Sequence, residues 1–355
     1  SAGASSVGFH LLSPGSRPLF THAALQSGAA TAPWAWISFQ KAQEKGRRLG
    51  QLLGCPESDH TALVSCLQGK EPGEFLQHDP LAMRKELFSQ AFVPTPDGDF
   101  LPDVPARLLW PDHSQPLPIL TGVTANEGTF LLKFSPLNFS LANTSAIGWE
   151  HLLQMVRLVA PGAPEEAIQA VAQRYSQERQ DDTRYLWAMG HTTGDHGFVC
   201  PAAEVAGREA DAGWPVYVYY FTHRSHVLPM PEWMGVPHGA EVPYLFGTLA
   251  SLRGANYTLP EAEAALSRKL MRYWAEFARS GSPTGPGSAK EQWPRYKSTE
   301  QNFLRISTEP PQLEGTSPAR LCGFLMSLLK EKPSPIAETH GSAEPSKEKA
   351  HEEEN

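Results

Sequence analysis

The alternation of apolar and polar positions divides the chain into short buried strands and amphipathic helices. Residues 1–13 read as a turn entering a helix, with the small residues Ala2, Gly3 and Ala4 allowing the tight turn. Phe20 to Gln26 reads as a short strand ended by Ser27-Gly28, and Ile37 to Leu53 has helical spacing with its basic residues on one side. Pro118 to Val123 is a buried strand candidate. Trp149 to Tyr175 reads as two helices broken at Pro161-Gly162-Ala163-Pro164. Pro215 to His223, rich in Val and Tyr, is the clearest strand. Glu261 to Arg279 is the clearest helix, with Leu266, Leu270, Trp274 and Phe277 on its apolar face and Gly281 at its stop. Asn302 to Ser307 and Cys322 to Leu329 read as a last strand and a last short helix. Strands alternating with helices predict an α/β architecture.

That pattern ends near residue 330. From there Pro, Ser, Glu and Lys dominate and little could be buried, so residues 330–355 are expected to be a disordered charged tail. Residues 1–329 are expected to form one domain. No internal repeat is visible.

Composition narrows the classes. A length of 355 residues supports a large core, and a formal charge of −8 argues against nucleic acid as the main partner. No apolar run approaches the roughly 18 residues of a membrane span. Four cysteines allow three connectivities; Cys55–Cys66 with Cys200–Cys322 is the simplest, and four buried free thiols are the alternative. Three sequons, at Asn138, Asn143 and Asn256, together with the even cysteine count favour an oxidising, extracellular setting.

The candidate chemistry is nucleophilic. Ser1-Ala2-Gly3 matches the second half of a G-x-S-x-G nucleophile elbow. A serine hydroxyl needs a base, and the base needs a carboxylate that fixes its tautomer. Glu127, in Asn126-Glu127-Gly128, lies just past the end of a predicted strand, where catalytic groups collect in open α/β sheets. His238 is one of 13 histidines, but Pro237 and Gly239 hold it in a turn. Serine, acid and histidine in that order match the α/β-hydrolase arrangement. Asp195-His196 is a rival acid–base pair, ranked lower because Cys200 follows closely. Ser1 acting through its own amine is a further, weaker alternative. There is no zinc spacing and no phosphate-cradling glycine loop, so no metal and no cofactor are expected.

A longer match then emerges. Ser1-Ala-Gly-Ala-Ser-Ser-Val-Gly-Phe-His-Leu-Leu-Ser-Pro resembles the elbow and following helix of the cholinesterase branch of the type-B carboxylesterases. So do Ala24-Leu-Gln-Ser-Gly, Phe92-Val-Pro, Asp97-Gly-Asp-Phe-Leu, Val199-Cys-Pro, Trp233-Met-Gly-Val-Pro-His-Gly and Leu270-Met-Arg-Tyr-Trp-Ala-Glu-Phe-Ala-Arg. The similarity runs from residue 1 to about 326.

The resemblance implies the C-terminal part of an α/β-hydrolase fold, a central mixed sheet flanked by helices with the N-terminal strands missing. It implies Ser1 as nucleophile, Glu127 as triad acid, His238 as base and the Ala2 N–H as an oxyanion donor. Trp34 and Phe88 would line the acyl pocket, and Phe130 would contact a choline group. The implied activity is hydrolysis of choline esters of the acetylcholine type through an acyl-enzyme; a general carboxylesterase, or a non-catalytic adhesion or pseudo-enzyme relative, is the alternative. The implied disulfides are Cys55–Cys66 and Cys200–Cys322.

Several positions depart from the family. Gln90 stands where a second acyl-pocket aromatic is expected, which would admit larger acyl groups, and Asp79 stands at the position of the rim tryptophan. The tail lacks the spaced aromatics and late cysteine of the family's tetramer-forming helix, so a monomer or homodimer fits, secreted and at a synaptic or cell-surface location. The family's N-terminal half supplies the first strands, the oxyanion glycines and the choline-binding tryptophan. Residues 1–355 alone are therefore expected to be inactive or poorly folded.

Overall fold

The computed structural model describes residues 1–56, 59–77, 87–88, 92–109, 116–135, 137, 144–254, 257–285, 292–313 and 315–329. The sequon asparagines, Gln90, Asp79 and the 330–355 tail lie outside them.

Among the described residues four strands form one sheet in sequential order: β1 (Ala23–Gln26), β2 (Ile119–Thr124), β3 (Val216–Phe221) and β4 (Leu304–Ile306). All three pairings are parallel. The strands form the helix-flanked C-terminal part of the α/β-hydrolase sheet that the resemblance implies, and each connection spans scores of residues and carries helices, as parallel neighbours require.

The β3 sequence shows how the layers are built. Tyr217, Tyr219 and Phe221 point to one face and pack with Leu266, Leu270, Tyr273 and Phe277 of the Glu261–Ser280 helix. Val216, Val218 and Tyr220 alternate to the other face. There Val216 joins Ala4 of the Ala2–Leu12 helix and Ala206 of the Cys200–Asp211 helix. Both faces are covered, which is why β2 is buried at every position.

A third core, built mainly from helices, joins the Trp149–Val159, Glu165–Ser176, Arg184–Gly194 and Cys322–Leu329 helices around residues such as Met155, Val171 and Met189. Arg184–Gly194 and Cys200–Asp211, joined by a π-helical turn at Asp195–Val199, form a helical run that the sequence pattern did not suggest.

Cys55 is bonded to Cys66 and Cys200 to Cys322, the pairing expected above. The second bridge spans 122 positions and joins the first residues of two helices; the first spans 11. On loop entropy their contributions are about 5 and about 3 kcal/mol. The Cys200→Ser/Cys322→Ser double variant should therefore lose more stability in chemical denaturation than the Cys55→Ser/Cys66→Ser variant. The reverse order would show that native packing, and not chain entropy, dominates.

Candidate active site

The site is built at the carboxyl ends of β1 and β2. Beyond β2 the chain turns through Ala125 to Gly128, which puts Glu127 beneath the turn with its side chain fully buried. An unpaired carboxylate there would be costly, and it is fully engaged. Its Oε1 accepts from the Thr124 N–H at 2.7 Å and the Ser27 hydroxyl at 2.6 Å. Its Oε2 lies 2.6 Å from His238 Nδ1.

Ser27 is held for this purpose. It follows β1, its N–H donates to Gly122 O at 2.9 Å, and its φ is +51°, a conformation few non-glycine residues adopt. The strain is offset by a buried hydrogen bond to a charged acceptor.

The His238 loop is docked by backbone pairing. Asn126 N donates to Val236 O at 2.9 Å, and Val236 N donates to Asn126 Oδ1 at 2.9 Å. Gly235 has φ +60°, and a Cβ there would lie 2.2 Å from Asn126 Oδ1, so only glycine allows this approach. With Nδ1 donating to Glu127, His238 Nε2 is left as the basic nitrogen.

Ser1 caps the Ala2–Leu12 helix, and its nitrogen donates to Gln26 O at 2.9 Å. A Cβ on Gly28 would lie 2.5 Å from Ser1 O, so Gly28 permits the close approach of the two segments. Ser1 thus lies beside the Gln26–Gly28 segment whose Ser27 binds Glu127. Its hydroxyl makes no hydrogen bond to His238 in this structure. Ala2 is the first residue of its helix, where a backbone N–H has no partner within the helix.

Two of the expected substrate-binding aromatics, Trp34 and Phe130, come together around one residue that sequence reasoning missed. Phe198, on the π-helical turn, is 3% exposed. Its ring centroid is 4.5 Å from His238, 5.7 Å from Trp34 and 6.0 Å from Phe130. Phe130 stacks on His238 at 5.0 Å and 20°. The Trp34 indole donates to Gly197 O at 2.8 Å. Phe88 packs on His196 at 5.5 Å, in space left because Gly197 has no side chain. Phe198 and Phe130 thus both pack against the imidazole, with Trp34 against Phe198.

A second buried carboxylate, Glu241, accepts from Gln26 Nε2 at 3.0 Å and lies 3.4 Å from the Tyr219 hydroxyl. Burial, and then the nearby charge of Glu127, hold its pKa above the usual carboxylate range. Nothing local in the sequence distinguished it.

The rival pair separates. Asp195 Oδ2 accepts from the Tyr175 hydroxyl at 2.7 Å, while His196 turns to Phe88 and its Nδ1 has no partner. Burial pushes His196 down to about 4 and Asp195 up to about 7. The Asp195 shift makes a stability prediction. Below about pH 4 both folded and unfolded chains hold the proton; from about 4 to 7 only the folded chain does, so stability falls as pH rises through that window. The full effect is on the order of 4 kcal/mol. Between pH 4 and 7 Asp195→Asn should lose less melting temperature with rising pH than wild type, or gain more. Glu209, also pushed up to about 7 by burial, adds a slope of the same sign as Asp195, whereas His191 and His196, both pushed down to about 4 by burial, add slopes of the opposite sign, so the variant is read against wild type. An unchanged profile in the variant would remove Asp195 from the account.

No group of three or more His, Cys, Asp or Glu suited to a metal occurs among the described residues. Among them, no helix is long and apolar enough to cross a membrane.

Residues 1–324 match the carboxylesterase family. The chain is 39% identical to acetylcholinesterase of Bungarus fasciatus over 327 residues, which covers 91% of this chain and 54% of that protein. It is 37% identical to acetylcholinesterase of Electrophorus electricus over 369 residues, 93% of this chain and 58% of that protein. The chain therefore spans just over half the length of these relatives.

Proposed function

The chain belongs to the carboxylesterase family, and from that premise we propose that it serves a serine esterase that hydrolyses choline esters through an acyl-enzyme. The observation that carries this reading is the Glu127–His238 contact: a buried carboxylate, fixed by two further hydrogen bonds, orients an imidazole through Nδ1. In the proposed reaction Ser1 Oγ attacks the ester carbonyl carbon while His238 Nε2 takes its proton. The Ala2 N–H donates to the oxyanion. The alcohol leaves with the proton from His238. Water then attacks the acyl-Ser1 ester, with His238 again as base, and releases the acid.

Trp34 and Phe88 are assigned to the acyl side, and Phe130 to a quaternary ammonium through cation–π attraction. The reading over a general carboxylesterase rests on this aromatic grouping and on the acetylcholinesterase relatives. An extracellular setting is supported by the two disulfides.

The test is a fluorophosphonate probe on the 355-residue chain and on a form extended upstream of Ser1, with the label located by mass spectrometry. Label on Ser1, lost in Ser1→Ala, is expected. Its absence from both forms would sink the esterase reading. Choline specificity is checked separately, by comparing acetylcholine with its neutral isostere 3,3-dimethylbutyl acetate in wild type and Phe130→Ala. The variant should lose most of the preference for the cation.

A further inference from the structure

A second cleft lies away from these groups, between the Glu261–Ser280 helix and the turn that follows β4. It has a volume of about 410 Å³ and shares no residue with the site described above. That is within the usual range of small-molecule pockets.

Its lining has an unusual charge for this chain. Arg268, Lys269 and Arg272 all border it, although the protein as a whole carries −8. The spacing explains this: positions 268, 269 and 272 fall on one side of a helix. Across from them the turn contributes Ser307, Thr308 and Glu309.

The Arg268 partner, Glu261, is a weak competitor for a ligand. Both side chains of that pair are largely exposed, at 60% and 81%, so the pair contributes little and exchanges readily. Ser307 Oγ accepts from the Glu309 N–H at 3.1 Å, which leaves its own proton to donate. Thr308 Oγ1 lies 3.4 Å from His223 Nδ1, which ties the turn to the sheet. Leu266 gives the cleft an apolar floor.

The geometry points to a binding site for a sugar-sized oxyanion ester, a monosaccharide phosphate or sulfate. The Arg268 guanidinium fork matches the oxygens of either ester, Lys269 adds a point charge, and Arg272, which lies over the Tyr273 ring, adds positive potential at the border. The carboxylate of Glu309 argues against a bare anion, which it would repel. It suits a ligand with ring hydroxyls to donate to it.

The experiment is calorimetric titration of the purified chain with glucose 6-phosphate, glucose 6-sulfate, glucose and inorganic sulfate. At least one of the esters should bind at least about tenfold more tightly than glucose or inorganic sulfate, and the preferred ester identifies the source of the ligand. Binding should weaken between about 50 and 200 mM salt. Arg268→Gln/Lys269→Gln should lose at least about tenfold in affinity while keeping its ligand-free melting temperature. If the double variant does not fold, Lys269→Gln alone, at a half-exposed position, serves instead. Esters that bind no better than glucose, sulfate that binds as well as the esters, or variants with unchanged affinity would each overturn the assignment.

Discussion

Replacing Glu127 by glutamine should slow acylation of Ser1 by about 10⁴-fold and leave the fold intact. The side chain keeps its shape, so its carbonyl oxygen can still accept from Ser27 Oγ and Thr124 N–H. The amide nitrogen then faces His238 Nδ1. Two donors cannot share that contact, so the imidazole must carry its proton on Nε2. That is the nitrogen proposed to take the proton of Ser1, and it would no longer be basic. The variant should also lose the stabilisation of the imidazolium that forms as Ser1 reacts. The measurement is the rate of fluorophosphonate labelling or ester hydrolysis, in whichever form of the protein reacts, beside a thermal melt. A large rate loss with a nearly unchanged melt fits the role. A rate within about tenfold of wild type means that Glu127 does not set the tautomer.

Much of this arrangement could be anticipated from local sequence. Glu127 stood out because it follows an apolar run, and β2 does end three residues before it. His238 stood out because Pro237 and Gly239 confine it. All four described strands and six of the twelve described α-helices followed from periodicity, since burial on one or two faces leaves a local pattern; His60–Gln68 and five others did not. Residues that act through distant partners left no such trace. Ser27 is one hydroxyl in a turn until β1 and β2 pair and bring it to Glu127, a hundred positions away. Glu241 carries no local sign of its burial, because its partners Gln26 and Tyr219 come from two strands. Phe198 was hidden by its neighbourhood. Gly190, Gly194 and Gly197 interrupt the helical pattern between Arg184 and Asp211. In the fold those glycines are points of close packing, and the π-helical turn between the helices holds Phe198 against His238.

The same glycines underlie the second large effect. Gly128→Ala should destabilise the protein by about 3 kcal/mol or more. A Cβ at position 128 would lie 2.2 Å from Gly190 O and 2.4 Å from Gly194 N. Both are backbone atoms of the Arg184–Gly194 helix, so no rotamer change relieves the overlap. The helix must move away from the turn, or the turn from the helix. The reverse contact is also tight, since a Cβ on Gly194 would lie 2.8 Å from Gly128 N and 3.3 Å from Glu127 Cβ. Movement of either segment therefore disturbs the carboxylate that orients His238, and reactivity should fall together with stability. Gly207→Ala is the matched control. It lies inside the Cys200–Asp211 helix, and its Cβ would meet nothing within 4 Å. Alanine there gains helix propensity, so stability should rise by up to about 1 kcal/mol. Melting temperatures of the two variants should move in opposite directions. If both rise, the Gly128 contact is not the close weld between turn and helix that these distances describe.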